Sequence, residues 1–279
     1  MVLLGDAAGY AAFLPWPAGR SVVVRAHGDA GPAAAAGADL VTCGGWDPEV
    51  TRWDPRTAAP RWSRRPFDGR VTALCGGADA VLVGGADRAA PGDGGAGGDR
   101  VDLGPGRVVR IDADGRVSDA VIEATGEVRA LACGPGWLAL IDDDPAGVLV
   151  ADDAGSARIP VPRPPATALA ARADGCLVAD AGTLIVIDVG RRAIRVLCDR
   201  GPDPPEALAV VPVGGTVLEA TSEGLVRRPD GATLPPVRLQ PVGLAPHDRG
   251  ALVLWPGGLL EERDGSGEVL RSLEVRHGG

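Results

Sequence analysis

Three tryptophans occur in short loops along the chain, where their rings could bind a positively charged ligand. The loops LPWPAG, GGWDPEV and LWPGG contain Trp16, Trp46 and Trp255. The face of a tryptophan ring attracts cations by about 0.5 to 2 kcal/mol, depending on how far the pair is removed from water. If the fold brings these loops to one sector, the three rings form an aromatic wall.

Carboxylates in other loops could form an acidic wall opposite the tryptophans. The candidates are Asp142, Asp143, Asp180, Glu219 and Glu223, and Asp47 adds a carboxylate next to Trp46 in the same loop. A cluster of carboxylates attracts cations over a long range. We therefore expect a face that binds a cationic or amphipathic ligand, for example a peptide segment that contains arginine. The alternative is that the tryptophans pack between strands and that the loop aspartates only cap turns.

The same carboxylates could instead catalyse a reaction. Burial against apolar rings raises the pKa of a carboxyl group and allows it to act as a general acid. The candidates for this role are Asp47, Asp142, Asp180 and Glu219. The second hypothesis is therefore a small-molecule enzyme, namely a lyase, cyclase or hydrolase of a bacterial biosynthetic pathway, with a central pocket walled by tryptophan. The sequence leaves open whether the protein is an enzyme.

No sequence pattern indicates a metal site, a cofactor or a nucleophile activated by histidine. His27, His247 and His277 are far apart along the chain. The glycine-rich insertion from Asp87 to Gly106 contains no phosphate-binding motif and is typical of a mobile loop. The chain has 28 basic and 37 acidic residues, a net charge of −9. Nucleic-acid binding needs a clustered basic surface, so we expect a protein, a peptide or a small molecule as partner.

The cysteines and the opening residues bear on where the protein acts. The five cysteines are isolated from one another and lie inside apolar runs: Cys43, Cys75, Cys133, Cys176 and Cys198. An odd number of cysteines favours free thiols, as in the cytoplasm. The opening stretch has no basic region and is interrupted by Asp6, so no export signal is predicted. No run approaches the roughly 18 apolar residues of a membrane span, and we expect a soluble, cytoplasmic monomer.

A repeated sequence pattern of short apolar strands must position these residues. The pattern recurs about every 40 residues, a period typical of repeat architectures. Five copies begin at RVTALCGGADAVLVGG, EVRALACGPGWLALID, ATALAARADGCLVADAG, PEALAVVPVGGTVLEA and PVGLAPHDRGALVLWPGG. GADLVTCGGWDPEVTRWDPRT carries part of another copy, and the opening residues can supply a shortened one. The predicted segments are 1–31, 32–70, 71–127, 128–165, 166–205, 206–240 and 241–279.

Each segment predicts about four short strands, because its apolar stretches are rich in Val, Leu and Ile and are separated by Gly, Asp or Pro. A single such sheet cannot bury both its faces, so the repeated sheets must cover one another. The sequence therefore predicts an all-β protein, a single β-propeller over residues 1–279 with seven blades, or alternatively six. The short first segment is either a three-stranded blade or takes a strand from residues 270–276.

Three stretches resemble the repeats of known propellers. VTRWDPRT (50–57) and VVRIDADGRV (108–117) resemble the third strand and following turn of WD-repeat propellers, although the Gly-His dipeptide of that family appears nowhere with its matching blade partner. LIVIDVGRRAIRVL (184–197) is similar to the blades of bacterial NHL and YVTN-type propellers. The resemblance implies a propeller of bacterial type. In such folds, ligands are held by the loops beside the central channel.

Overall fold

The computed structural model describes residues 2–5, 10–15, 22–29, 33–36, 39–77, 79–89, 103–173, 175–201, 203–228, 230–235, 239–247 and 250–275. The regular secondary structure of these ranges is β-strand. The prediction of an all-β protein is therefore confirmed. Within the same ranges, no helix has the length and apolar character needed to cross a membrane.

The described strands form seven antiparallel sheets, each built from consecutive strands. Six of these sheets are blades of four strands each, and six is the smaller of the two blade counts that the sequence allowed. The first sheet has three strands. The first sheet comprises β1 (Val2–Gly5), β2 (Tyr10–Leu14) and β3 (Val22–Arg25). The second comprises β4 (Ala33–Ala36), β5 (Asp39–Cys43), β6 (Val50–Asp54) and β7 (Ala59–Arg64). The third comprises β8 (Arg70–Gly76), β9 (Ala80–Ala86), β10 (Arg107–Asp112) and β11 (Val117–Glu123).

The remaining four sheets have the same up-and-down order. The fourth comprises β12 (Ala130–Gly134), β13 (Trp137–Ile141), β14 (Gly147–Asp152) and β15 (Gly155–Pro160). The fifth comprises β16 (Ala166–Arg172), β17 (Gly175–Asp180), β18 (Thr183–Asp188) and β19 (Ala193–Asp199). The sixth comprises β20 (Ala207–Val213), β21 (Thr216–Thr221), β22 (Gly224–Arg228) and β23 (Ala232–Leu234). The seventh comprises β24 (Gly243–His247), β25 (Gly250–Leu254), β26 (Leu259–Arg263) and β27 (Val269–Glu274).

The local sequence explains this meander of strands. Middle strands such as β17 and the first five residues of β18 are buried throughout and carry nearly continuous apolar residues, because a strand covered on both faces needs no polar alternation. Fourth strands such as β27 are largely exposed and mix polar with apolar residues. Short turns rich in Gly and Asp join neighbouring strands, and they keep each sheet antiparallel.

The chain divides into two compact units. The first comprises Met1–Asp144 and Asp153–Ser156, and the second comprises Pro145–Asp152 and Ala157–Gly279. In the first unit, Phe13 and Trp53 pack edge to face with ring centroids 5.5 Å apart, and they join the first sheet to the second. In the second unit, one apolar cluster lies between the fifth and sixth sheets and another between the sixth and seventh. Burial of apolar area between consecutive sheets supplies the main stabilisation.

A disulfide joins the third and fourth sheets within the first unit. Cys75 of β8 and Cys133 of β12 are bonded, with their Cα atoms 6.2 Å apart. The expectation of free thiols is wrong for this pair, whereas Cys43, Cys176 and Cys198 form no disulfide in the described part of the chain. The two cysteines are 58 residues apart in sequence, so only the packing of one sheet beside the next brings them together. Disulfides persist mainly in oxidising compartments, and this bond does not support the cytoplasmic expectation.

The C-terminal strand completes its own sheet. β27 pairs with β26, and Leu273 lies opposite Leu260. The alternative in which residues 270–276 complete the first sheet is therefore wrong. A tight turn held by the Asp264 carboxylate, which accepts a hydrogen bond from the Ser266 amide at 2.8 Å, closes this hairpin locally. Closing a short loop costs less conformational entropy than closing a connection that spans the chain.

The insertion predicted from Asp87 to Gly106 lies partly outside the described residues. Residues 90–102 belong to that part. At its described ends, Arg88 and Leu103 form an antiparallel bridge. The Gly104 amide donates a hydrogen bond to the Asp87 carbonyl at 2.9 Å. The two ends of the insertion are thus held next to each other beside β9 and β10.

Candidate functional site

The first unit contains an open cleft of about 540 Å³, lined by three loops that follow β5, β7 and β9. The loop after β5 contributes residues 46–48, the loop after β7 contributes 65–68, and the loop after β9 contributes 87–88. Its lining therefore combines one tryptophan, prolines, three aspartates and two arginines. Two of the residues predicted from the sequence, Trp46 and Asp47, lie here side by side.

Hydrogen bonds to the backbone hold the Trp46 loop in place. The Asp29 carboxylate accepts hydrogen bonds from the amides of Trp46 at 2.7 Å and Asp47 at 3.3 Å. The Asp47 carboxylate in turn accepts one from the Gly28 amide at 3.3 Å. At Gly44, an added Cβ would lie 2.6 Å from the Asp47 carbonyl and 2.7 Å from the Asp29 carboxylate, so only glycine allows this close approach.

The Trp46 ring is exposed and already pairs with one cation of the protein. The side chain is 52% exposed. The Arg70 guanidinium lies 4.8 Å from the ring centroid, and it is held there by an ion pair with Glu127 at 2.9 Å. The exposed part of the ring remains accessible from the cleft. Its environment is therefore suited to a second cationic or apolar group.

Carboxylates and arginines alternate around the rest of the cleft. Asp47 pairs with Arg65 at 3.0 Å, and Arg65 is 63% exposed. The Asp68 amide donates to the Asp87 carboxylate at 2.9 Å, and the Arg88 amide donates to the Asp68 carboxylate at 2.8 Å. Among the described residues, Asp68 makes no ion pair. One carboxylate of the cleft is thus exposed without a neutralising partner in the described part of the chain.

A buried histidine is hydrogen bonded to β5, the strand that precedes the Trp46 loop. The side chain of His27 is 7% exposed, and its Nε2 lies 2.6 Å from the Thr42 hydroxyl. Thr42 also accepts a hydrogen bond from the Trp53 indole at 2.8 Å, so its own proton can go to His27. Burial lowers the pKa of His27, and the nearby carboxylates, Asp47 first among them, oppose this shift. His27 is a structural group, since solvent does not reach it.

The predicted residues Asp142 and Asp143 brace a turn elsewhere in the first unit. Asp142 is buried and accepts a hydrogen bond from the Thr125 amide at 3.0 Å. Asp143 accepts one from the Glu127 amide at 2.8 Å and pairs with Arg129 at 2.7 Å. Neither residue lines the cleft. Both carboxylates hold the backbone before β12 in place.

In the second unit, Asp180 and Glu219 are completely buried and fully engaged. Asp180 accepts hydrogen bonds from the amides of Arg163 and Gly182, both at 2.9 Å, and from Thr183. Glu219 accepts from Nε of Arg200 at 2.8 Å and from Nε of Arg228 at 2.7 Å. No lone pair of these carboxylates faces solvent, so neither group is placed to reach a substrate.

The other predicted residues differ in exposure. Trp255 is 1% exposed, and its indole donates to Glu261 at 2.7 Å. Its ring packs in the apolar cluster between the sixth and seventh sheets, so no ligand can reach it there. Glu223 is exposed, and its amide donates to the Thr221 hydroxyl at 3.2 Å. Trp16 lies outside the described residues.

Sequence reasoning missed Asp68, and it placed Asp87 and Arg88 only in the insertion. The predicted carboxylates belong to loops that join the second strand of a sheet to the third, whereas Asp68 follows the fourth strand of the second sheet. In the sequence, FDG reads only as a turn. The available signal was an Asp in the loop after β7 and another Asp directly after β9, but its significance depends on the packing of the second sheet against the third.

Comparisons with known proteins identify the fold. No protein-family model matches the chain, and no curated protein matches it. The computationally designed Ika8 protein is similar, with a TM-score of 0.67 and 18% identity, over 98% of this chain and 84% of that chain. The β-propeller domain of Cps50 (Swd1) from Myceliophteria thermophila is similar, with a TM-score of 0.60 and 16% identity, over 86% of this chain and 84% of that chain. At such identities the likeness shows the fold alone, and this chain is an all-β propeller.

Proposed function

We propose that this β-propeller is a binding module of the WD-repeat type, and that the cleft in its first unit holds a short peptide segment with a positively charged side chain. The main support for the proposal is the exposure of Trp46. This residue is 52% exposed and lines a cleft that Asp47, Asp68 and Asp87 also line. An exposed aromatic ring beside carboxylates attracts a cation through its π face and through charge together.

The contacts of the cleft assign roles to its residues. The cationic side chain would lie against the exposed part of Trp46 and near the Asp68 carboxylate, which has no ion pair among the described residues. The prolines at positions 48 and 66 offer apolar surface to the neighbouring side chain of the peptide. Arg65 and Arg88, which also line the cleft, can donate hydrogen bonds to a carboxylate or carbonyl oxygen of the same segment.

The rigidity of the loop supports binding without a large ordering cost. The amides of Trp46 and Asp47 are both hydrogen bonded to Asp29, so the backbone that carries the ring is held before a ligand arrives. Side chains that are ordered in advance lose less entropy on association. Arg70, 4.8 Å from the same ring, is an intramolecular example of the contact proposed for the ligand.

No observation on the described residues favours the enzyme hypothesis. Three of its four carboxylate candidates, Asp142, Asp180 and Glu219, are buried and accept hydrogen bonds from backbone or arginine groups. A general acid or base must reach the reacting atom. The fourth candidate, Asp47, pairs with Arg65 in the open cleft.

The test is a titration of the whole chain with a blocked peptide that contains one arginine next to leucine. Calorimetry and tryptophan fluorescence both monitor the binding. We expect saturable binding that weakens about tenfold or more, or about 1.4 kcal/mol, in Trp46→Ala and in Asp68→Asn. Trp137→Ala is the matched control, because Trp137 is half-buried on β13 and does not line the cleft. A peptide with citrulline in place of arginine has the same shape without the charge. Equal binding of the citrulline peptide, or undiminished binding by Trp46→Ala, would overturn the proposal.

A further inference from the structure

The first strands of three sheets share one irregularity near their start. In β8, β16 and β20, a single residue is left out of the pairing with the second strand, so each strand has a bulge there. The extra residues are Thr72, Thr167 and Leu208. A bulge turns the extra residue out of the regular alternation of its sheet. The three positions are therefore structurally equivalent.

The two threonines bond to their own sheets at this position, whereas the leucine is exposed. The Thr72 hydroxyl donates to the Gly84 carbonyl at 3.4 Å, and the Thr167 hydroxyl donates to the Ala179 carbonyl at 3.3 Å. Leu208 is 43% exposed, and it belongs to neither of the apolar clusters that join the fifth, sixth and seventh sheets. The fold accepts threonine at this position, so the packing of the sheets does not require the leucine.

A second exposed apolar side chain lies at the corresponding end of the seventh sheet. Val242 is 61% exposed and directly precedes β24. Its amide donates a hydrogen bond to the carbonyl of Leu254, the last residue of β25, at 2.8 Å. The start of β20 pairs with the last residue of β21 in the same way, and β20 packs against β24. Leu208 and Val242 therefore lie at the same edge of two neighbouring sheets.

Two glutamates border this edge. Glu206 directly precedes β20, and its carbonyl accepts a hydrogen bond from the Ser222 amide at 3.2 Å. Glu223 follows Ser222 in the turn between β21 and β22. Both glutamates are exposed, and in the part of the chain that the structure describes neither makes an ion pair. The backbone contact thus brings two carboxylates to the end of the sixth sheet where Leu208 lies.

The arginine beneath these glutamates is already engaged in the interior. Nη2 of Arg200 donates to the Pro205 carbonyl at 2.6 Å, one residue before Glu206. Nε of the same arginine donates to Glu219 at 2.8 Å, and the side chain is 1% exposed. The Arg200 guanidinium therefore faces the core, and the carboxylates of Glu206 and Glu223 remain accessible to a partner.

We propose that Leu208, Val242, Glu206 and Glu223 form a docking surface for a basic, leucine-containing segment of a partner protein. The apolar side chains of the segment cover Leu208 and Val242, and its basic side chains face the two glutamates. The apolar contact removes exposed hydrocarbon from water, and the opposite charges orient the segment. This set of residues, the Leu208 surface, belongs to the second unit and shares no residue with the cleft around Trp46.

Charge argues against a second copy of this chain as the occupant. The chain has 37 acidic and 28 basic residues. Contact between two Leu208 surfaces would bring their glutamates together around a small apolar centre, and like charges placed opposite each other disfavour association. A basic segment has no such repulsion, because its charges complement those of Glu206 and Glu223.

The competing explanation is that Leu208 and Val242 are incidental surface residues. Single apolar side chains are common on protein surfaces and need no partner. The two explanations differ in one measurable respect, which is whether a basic, leucine-containing peptide binds saturably at this edge and depends on Leu208.

The test follows the backbone amides of the ¹⁵N-labelled chain by NMR during titration with the blocked peptide Lys-Leu-Leu-Lys. We expect saturable shifts at the amides of Leu208, Ser222 and Val242, and about tenfold weaker binding in Leu208→Thr and in Glu206→Gln. Leu208→Thr introduces the residue that β8 and β16 have at the equivalent position, so the fold should be retained. Val269→Thr is the matched control, because Val269 is 45% exposed and lies at the other end of the seventh sheet. This control variant should bind like the unmodified chain.

Further measurements separate the occupants and the two proposed sites. The blocked peptide Glu-Leu-Leu-Glu has the same apolar residues with reversed charge, and it should bind at least about tenfold more weakly. Sedimentation of the unliganded chain should show a monomer, and a dimer abolished by Leu208→Thr would instead identify a second copy as the occupant. Absence of saturable shifts, undiminished binding by Leu208→Thr, or equal binding of the two peptides would each overturn the proposal. Trp46→Ala should bind Lys-Leu-Leu-Lys like the unmodified chain. Shifts confined to the Trp46 loop would overturn this proposal without contradicting the proposed function.

Discussion

At the scale of single residues, buried carboxylates of this protein serve mainly to hold arginine and backbone groups. Glu219 engages Arg200 and Arg228, and Glu261 engages the Trp255 indole and Arg263 at 2.7 and 2.6 Å. Removing such charges from water is costly, and the cost is offset only when every oxygen is paired. These carboxylates therefore belong to the support of the fold.

The first prediction concerns Glu219. In Glu219→Gln, two buried guanidinium groups lose their common counter-charge, so we expect the free energy of unfolding to fall by about 3 to 5 kcal/mol. Urea denaturation of both chains measures the change. Glu223→Gln, in the exposed turn that follows β21, should change the free energy of unfolding by no more than about 0.5 kcal/mol. If the two variants were equally stable, the ion cluster would not contribute to stability.

At the scale of elements, several strands begin at a glycine that faces the carbonyl of the neighbouring strand. Gly175 begins β17, and an added Cβ would lie 2.0 Å from the Ile187 carbonyl of β18. Gly250 begins β25 in the same way, with 1.9 Å to the Arg263 carbonyl of β26. The pairing of second and third strands thus requires glycine where the two backbones approach most closely.

The second prediction follows from Gly175, whose φ of +136° is also unfavourable for other residues. Gly175→Ala should lower the free energy of unfolding by at least about 2 kcal/mol, because it combines a backbone clash with a strained conformation. Thermal and urea denaturation measure this effect. In Gly190→Ala, the closest contact of the new Cβ is 3.8 Å, so this variant should remain near the stability of the unmodified chain. A similar fall in the free energy of unfolding for both variants would indicate a general cost of replacing turn glycines and would contradict the specific clash at Gly175.

At the scale of the whole molecule, the chain consists of two compact units, and the disulfide lies in the first. Cys75 and Cys133 join β8 to β12 there. Among the described residues of the second unit, Cys176 and Cys198 are free. A cross-link stabilises a fold chiefly by limiting the freedom of the unfolded chain, by about 2 to 4 kcal/mol in typical cases. The two units therefore differ in how their stability depends on redox conditions.

The third prediction is that a reductant will increase hydrogen exchange selectively. Exchange of the amides of β8 and β12 should rise when the Cys75–Cys133 bond is reduced, whereas exchange in the fifth, sixth and seventh sheets should change little. Mass spectrometry of peptides measures both regions in one experiment. The double variant Cys75→Ser, Cys133→Ser should show the raised exchange without reductant and no further response to it. An unmodified chain that showed no disulfide-linked peptide would contradict the prediction.

The class of fold and the character of the strands follow from the amino-acid sequence alone. Apolar runs such as GCLVAD and TLIVID, separated by Gly, Asp or Pro, specify strands and turns through local propensity. Their recurrence indicated repeated sheets that cover one another. Part of the candidate site was also readable from the sequence, because Trp46 and Asp47 are adjacent in one turn.

The accessibility of individual side chains depends on tertiary packing. Trp46 is exposed while Trp255 is buried, although both follow an apolar strand in similar loops. Asp68 and Asp87 meet Trp46 because the second sheet packs against the third, and the same kind of packing brings Cys75 to Cys133. Burial and proximity depend on contacts between residues far apart along the chain, and a local pattern of residue types contains no information about those contacts.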